Sequence, residues 1–274
     1  MHLKIRNDIR LAFPSQARNL TVLLRLSPRS HEGQHVTDSR IDADIDCSLR
    51  VGQDAFGNVT HSFSAAGPLG GFTVTSTCEV DTFDAAGMVR GAAERLPVDL
   101  FLRETALTGS DAALREFAER STATEAEPLG KLHALMHAVH GEIAWAERPP
   151  DPGAAVVAPT AAQAFAARSG DAASHAHVFA TAARHLGVPC RHVTGYLLRD
   201  RAASADRIVP ASAAHAWVEA YVQDLGWIGF DSAEELCPNG RHVRVATGLD
   251  ALGAAFLRGV GAENAVATAT VTAG

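Results

Sequence analysis

His215 and Asp231 are the residues in this chain most readily paired for chemistry. His215 stands in Ala214-His215-Ala216-Trp217-Val218-Glu219, and Asp231 closes Gly226-Trp227-Ile228-Gly229-Phe230-Asp231. Upstream, Ser169-Gly170-Asp171-Ala172-Ala173-Ser174-His175-Ala176-His177 opens an apolar helical run. A helix-start residue, then a histidine, then an aspartate is the chain order of a Cys-His-Asp hydrolase. In that chemistry the helix N-terminus stabilises a thiolate, the histidine shuttles protons, and the third group fixes the histidine's tautomer. Here the helix-start residue is Ala172, so two of the three groups are present and the nucleophile is absent.

The turn Gln223-Asp224-Leu225-Gly226 between the two segments is short enough for antiparallel pairing to bring His215 and Asp231 together. No neighbour replaces the thiol well. Ser174 lies two positions on, about 200° around the helix, and faces away from whatever Ala172 faces. Cys190 begins the following strand and reads as packing.

Other chemistry-bearing residues read more plainly as structure. His133, His137 and His140 fall within about 60° on one helix face. Three imidazoles so placed could ligate zinc or nickel, but a solvated flank is the simpler reading and no metal is expected. His175 is expected to buttress the site or meet substrate, and Asp171 to do likewise as a helix-start carboxylate. Trp217 and Trp227 flank the His and Asp strands as core or groove walls. Glu219, on the same strand face as His215, is either a groove carboxylate or solvent-exposed. Asp42, Asp44 and Asp46 align on one strand face and read as a solvated edge, with a cation site as the sharper alternative.

The elements that must position these residues fall into three stretches. Residues 1–95 read as a β-rich, sandwich-like N-terminal domain. Ile41, Ala43, Ile45, Cys47, Leu49 and Val51 alternate with polar residues, as do Phe72, Val74, Ser76, Cys78 and Val80, the signature of half-buried strands. Leu20 to Leu26 gives an earlier strand, ended by Pro28. Cys47 and Cys78 fall on the inward faces as small hydrophobes. Residues 96–159 are a connector and helices leading into the core. Ser110 and Asp111 cap a helix to Arg120, and Pro128 starts another to about Ile143. A break follows at 149–153. Residues 160–274 alternate helix and strand: helices Thr160 to Arg168 and Ala172 to Leu186, strands Cys190 to Leu198, Ala214 to Val222, Trp227 to Phe230 and His242 to Ala246. A loop is expected at 199–212, and the alternating tail 266–272 predicts a late strand returning to a sheet.

At 274 residues, 47% hydrophobic and 20% charged, the chain suits one large domain or two modest ones. A net charge of −7 argues against nucleic acid or an anionic membrane as partner. The first residues lack a signal peptide's apolar stretch, and no run approaches the roughly 18 apolar residues of a membrane span. Four cysteines in a chain of this length suggest no disulfide framework. A cytoplasmic location is expected.

In combination these motifs resemble the bacterial transglutaminase-like, cysteine-protease-type proteins. Their signature is Gly-Asp-Cys-x-x-His-Ala, a helix, Leu-Gly-Ile-Pro-Ala-Arg-x-Val-x-Gly-Tyr, His-Ala-Trp-x-Glu and Gly-Trp-x-x-Phe-Asp. The counterparts here are Gly170 to Ala176, Leu186-Gly187-Val188-Pro189-Cys190-Arg191-His192-Val193-Thr194-Gly195-Tyr196, His215 to Glu219, and Gly226 to Asp231. His242 to Asp250 also looks like that family's following segment. Leu24 to Arg29 and Asp54 to Asn58 echo the β-rich region that precedes its core. The resemblance implies an α+β, papain-like/transglutaminase-like core. Its chemistry would be hydrolysis or transfer at a peptide or isopeptide amide through a thioester, with no cofactor. His215 would be the acid/base, Asp231 its orienter, and position 172 the nucleophile and one oxyanion donor. Trp145, lying upstream as an aromatic does in animal transglutaminases, would be a second contributor or a core aromatic. The expected partner is a peptide or protein substrate, with a peptide ligase as a possible companion enzyme. As written the chain is expected to be inactive. An engineered Cys→Ala change is favoured as the origin of Ala172, because a long-dead site would be free to lose Gly170, Asp171, His175, His215 and Asp231. The alternative is a natural peptide-binding pseudoenzyme.

Overall fold

Alternating sequence builds the first sheet. The structure, a computed structural model, describes residues 1–92, 94–146, 158–199, 214–260 and 265–273, with backbone alone at 14, 15, 260 and 265–269. Strand β1 (His2–Leu24) begins in the opening segment and runs antiparallel to β4 (Val59–Thr82) from His2↔Asp81 to Leu24↔His61. Register shifts between Ala12, Ala17 and Asn19 interrupt the long ladder, the local irregularity that lets long strands bend and twist. Strands β2 (Gln34–Ala43) and β3 (Arg50–Gln53) pair with β4. Period-two placement buries Leu3, Ile5, Ile9 and Leu11 of β1 with Phe72, Val74, Cys78 and Val80 of β4 in one core.

The single strand expected across 41–51 is instead two. The β2 ladder stops at Ala43, and Asp44 takes the Thr73 N–H on its own carboxylate at 2.7 Å. Such short acidic side chains compete with the ladder for backbone donors. Ile45, Cys47 and Leu49 still pack against the same core, so the alternation recorded burial correctly and pairing incorrectly.

The second body is helical on one side and β on the other. After β5 (Met88–Val89) come α1 (Ala112–Thr122), α2 (Pro128–Glu142), β6 (Ala144–Trp145), α3 (Ala161–Ala167), β7 (Ser169–Gly170) and α4 (Ala172–His185). Their starts are written in the sequence. Asp111 accepts the Leu114 N–H at 2.8 Å, Pro128 opens α2, and Thr160 and Gln163 form a capping box. Strands β8 (Cys190–Leu197), β9 (Ala214–Val222), β10 (Gly226–Phe230) and β11 (His242–Gly248) form an antiparallel sheet in the order β11-β8-β9-β10-β5. Phe179, Val178 and Ala182 of α4 pack with Val218, Ala220 and Phe230 of that sheet in a second core. The break expected at 149–153 lies outside the described residues, as does all but the first residue of the loop expected at 199–212.

The chain's last strands, β12 (Leu257–Val260) and β13 (Ala265–Ala273), return to the first sheet and pair antiparallel with β1. Buried amides join the two bodies along β11. Gln34 donates to the Arg244 carbonyl at 2.9 Å and accepts the Arg244 N–H at 2.8 Å. Asn58 treats Thr247 in the same way, at 2.8 Å in both directions. Each side chain imitates a neighbouring strand and satisfies backbone groups at the sheet's edge. Among the described residues no helix is long and apolar enough to cross a membrane.

Candidate active site

Four elements converge on one point. The N-terminus of α4 brings position 172, β9 brings His215, the end of β10 brings Asp231, and the parallel β6–β7 pair sets Trp145 opposite Gly170. Ala172 packs with Ala216 and Ala233, and Trp145 lies against that cluster. Position 172 is thus beside the residues that flank both His215 and Asp231. It is 4% exposed, His215 2% and Asp231 0%.

His215 Nε2 donates to Asp231 Oδ2 at 2.5 Å. The other carboxylate oxygen accepts the backbone N–H groups of Ala233 and Glu234, each at 3.1 Å. Burial alone would favour the protonated acid, but His215 and His242 outweigh it and hold Asp231 well below the usual carboxylate range. With Nε2 engaged by Asp231, Nδ1 is the ring nitrogen of His215 outside that pair, and the carboxylate fixes the ring's orientation.

Asp171 caps α4, accepting from the Ser174 N–H and the Ser174 hydroxyl, both at 2.9 Å. Ser174 is therefore spent on the cap. The N–H groups of positions 172 and 173, ahead of the capped Ser174, have no intrahelical acceptor and suit a developing oxyanion. His175 is buried, with Nδ1 2.9 Å from the Asp171 carbonyl and Nε2 3.0 Å from the Ile143 carbonyl. Burial pushes its pKa down against the pull of those carbonyls. It ties α4 to the end of α2. Trp145 rests 6.3 Å from the His175 ring and under Arg199, which pairs with Glu234 at 2.7 Å. Trp217 is buried, its ring 6.2 Å from His215.

Several residues singled out on the sequence do other work. Glu219 is neither a groove carboxylate nor exposed. It is fully buried between Arg191 at 2.6 Å and Arg244 at 2.7 Å. Burial would raise its pKa, but Arg244 and Arg191 more than compensate and hold it at about 2. Cys190 is fully buried and its thiol is pushed up to about 12 by burial, the opposite of a reactive thiolate. His133, His137 and His140 do not meet as one donor set, although Glu235 lies near both His137 and, at 3.6 Å, His140 Nε2. His137 meets Glu235 at 2.9 Å, His140 Nδ1 faces the Ser232 carbonyl at 3.0 Å, and the His133 ring packs on Phe230. Asp42 pairs with Arg40 while Asp44 binds backbone, so the acidic face is likewise dispersed.

Sequence reasoning missed His242. Its Nε2 lies 3.1 Å from the same Asp231 Oδ2 that His215 contacts. One donor atom each from His215, Asp231 and His242 falls within 4.8 Å of the others. A histidine opening an edge strand eleven positions after an aspartate carries no spacing rule that would have identified it.

The arrangement of helix N-terminus, histidine strand and aspartate strand defines the class: a protein with a transglutaminase-like core. Comparison agrees. Residues 115–232 match the transglutaminase-like superfamily, and residues 3–81 match the bacterial transglutaminase-like N-terminal region. The chain thus carries a transglutaminase-like core behind a bacterial transglutaminase-like N-terminal region. An uncharacterized protein of Mycobacterium leprae is 27% identical over 86% of this chain and 84% of its own length. An uncharacterized protein of Mycobacterium tuberculosis is 24% identical over 90% of this chain and 84% of its own. The crystal structure of a "Putative Cysteine Protease" from Cytophaga hutchinsonii superposes with a TM-score of 0.76 at 22% identity, covering 99% of this chain and 89% of that one. It shares the fold.

Proposed function

We propose that the start of α4, with His215 and Asp231 beside it, is the site of a Cys-His-Asp amide hydrolase or acyltransferase for peptide or isopeptide bonds, held in this chain without its nucleophile. The buried His215–Asp231 pair beside Ala172 carries this reading. A thiol at position 172 would pass its proton to His215 Nδ1 as sulfur bonds to the amide carbon. The tetrahedral oxyanion would lie at the first-turn N–H groups of α4. Cleavage of the C–N bond would return the proton from His215 to the leaving amine, and water or a second amine would then release the acyl group. A methyl group can start none of this, so the chain as written binds without turnover. Four free cysteines accord with a reducing, cytoplasmic setting.

A second reading is a natural peptide-binding pseudoenzyme serving a partner such as a peptide ligase. The intact His215–Asp231 pair beside a methyl group at position 172 favours it, since this arrangement could orient an amide without attacking it. Both the engineered and the natural origin of Ala172 predict an inactive chain.

The test is Ala172→Cys. Fast iodoacetamide labelling of the new thiol at neutral pH, with release of amine from a panel of peptide and isopeptide amides, is expected. A thiol that labels no faster than free cysteine and turns over nothing refutes the latent-enzyme reading and leaves the binding one.

A further inference from the structure

We propose that His242 is a positioning residue, holding the Asp231 carboxylate so that it orients His215 without trapping it as an imidazolium. This deepens the function proposed above and rests on it. His242 lies past residue 232, where the match to the superfamily core ends.

The tautomer of His242 follows from its surroundings. The backbone N–H of Asn239 points at its Nδ1 at 3.2 Å. A backbone N–H can only donate, so Nδ1 accepts and Nε2 carries the proton. That proton goes to Asp231 Oδ2. His242 is thereby a fixed neutral donor. Ligation of a metal through Nε2 would move the proton to Nδ1, against the Asn239 N–H. The three close donor atoms are thus a hydrogen-bonded relay, not a vacant metal centre.

The ring itself is immobilised. It is 6% exposed and packs edge-on against Trp217 at 5.4 Å and 84°. Its own N–H donates to the Asn239 carbonyl at 3.0 Å, and β11 is clamped by Gln34 and Asn58 from the first sheet. The N-terminal body therefore reaches the His–Asp pair through β11 and His242. The charged and titratable groups around this point are His215 on β9, His175 on α4, Glu234 after β10, His31 from the first sheet, and Glu219, Arg191 and Arg244. Glu219 and the two arginines are paired among themselves.

Two donors on one carboxylate oxygen share its charge. Asp231 remains ionised, and its pull on the His215 proton is moderated. Removing the second donor concentrates that charge on His215 and makes its imidazolium harder to discharge.

Nitrogen-15 NMR of the imidazoles in the unmodified protein tests the tautomer first: His242 is expected with its proton on Nε2 and Nδ1 accepting. A proton on Nδ1 overturns the proposal, as does stoichiometric micromolar zinc binding that His242→Phe abolishes. The His215 titration is then followed in two variants. His242→Phe keeps a ring against Trp217 but no donor, and should raise the His215 titration by about one pH unit, the scale of one hydrogen bond to a charged group. His242→Gln can accept from Asn239 and donate to Asp231, and should restore the original midpoint. Should His242→Phe not fold, His242→Asn serves instead, since it reaches Asn239 but not Asp231. An unmoved His215 midpoint in the donor-less variant overturns the proposal, as does a Gln variant that behaves like Phe. In the Ala172→Cys background the pH profile of alkylation should move with the NMR midpoint. A thiol that never labels fails the proposed function alone, because the NMR titration decides His242 independently.

Discussion

Gly195 lies beneath the Trp217 indole: a Cβ there would stand 2.7 Å from Cη2 of the ring and 2.1 Å from the Val243 carbonyl oxygen. Gly195 is also the cross-strand partner of His215 in the β8–β9 ladder. The missing side chain leaves room for the indole to lie beside both His215 and His242.

Gly195→Ala should therefore disturb the site through packing. The added methyl meets backbone on one side and a buried ring on the other, so neither neighbour yields cheaply. A loss of about 3 kcal/mol, at the upper end of overpacking costs, is expected in denaturant unfolding. Near-UV circular dichroism should report the displaced Trp217. A variant of unchanged stability and spectrum would show that the strand and indole have room to spare.

Asp231→Asn replaces an acceptor of four hydrogen bonds by an amide. Its Oδ1 can still serve the Ala233 and Glu234 N–H groups, but its NH2 would face the two histidine donors. One tautomer must flip or one donor go unpaired, costing about 1–3 kcal/mol. In the Ala172→Cys background the misoriented His215 should lower amide turnover on the order of 10³- to 10⁴-fold, the scale at which triads depend on their carboxylate. Unfolding curves read the first effect and single-turnover kinetics the second.

The elements that carry the site were legible because each announces itself locally. Asp111, Pro128, the Thr160–Gln163 box and Asp171 mark helix starts by side-chain chemistry, and the turn residues 223–226 mark the end of β9. His215 and Asp231 were legible because a short turn forces their strands to pair. His242 was not, because its partner is set by the pairing of β11 with the outer side of β8 and by the amide clamps from the first sheet, which are contacts between distant parts of the chain. Glu219 failed for a related reason. Its sequence neighbours do not reveal that Arg191 arrives from the adjacent strand β8 and Arg244 from β11, one strand further on. Among buried strand residues, the arginines themselves were the missed signal, since a charge in an otherwise apolar run needs a partner.

Glu219→Gln should be among the most damaging single changes outside the site. It leaves Arg191 and Arg244 without their shared carboxylate, while Arg191 keeps Glu94 at 2.7 Å and the Trp227 ring at 4.0 Å. Removing one partner of a buried ion pair costs about 3–5 kcal/mol, because the remaining charge cannot return to water. Thermal and denaturant unfolding should both show the loss. Glu94→Gln, at a half-exposed carboxylate, should cost far less.

Stability should fall steadily as the solution is acidified below about pH 6.5, the ordinary histidine value. Burial lowers His31 to about 4, depresses His177, and holds His192 well below its usual range. Each of these rings is neutral in the native state, whereas the unfolded chain takes up a proton at each site as pH drops. Their contribution is therefore complete above the unfolded value and is lost as pH falls toward the folded one, at up to about 1.4 kcal/mol per pH unit per ring. Asp231 and Glu219, held below their ordinary values, add a further loss below about pH 4.5. His192 gives the sharpest check. It is 1% exposed, and among the described residues neither of its ring nitrogens has a partner. His192→Leu removes two buried polar atoms and one titrating site at similar volume. It should leave stability at pH 8 unchanged or higher and flatten the acid limb by up to one proton. Denaturant midpoints at pH 8, 7, 6 and 5 read both. An acid limb as steep in His192→Leu as in the unmodified protein would show that His192 is not among the groups that set it.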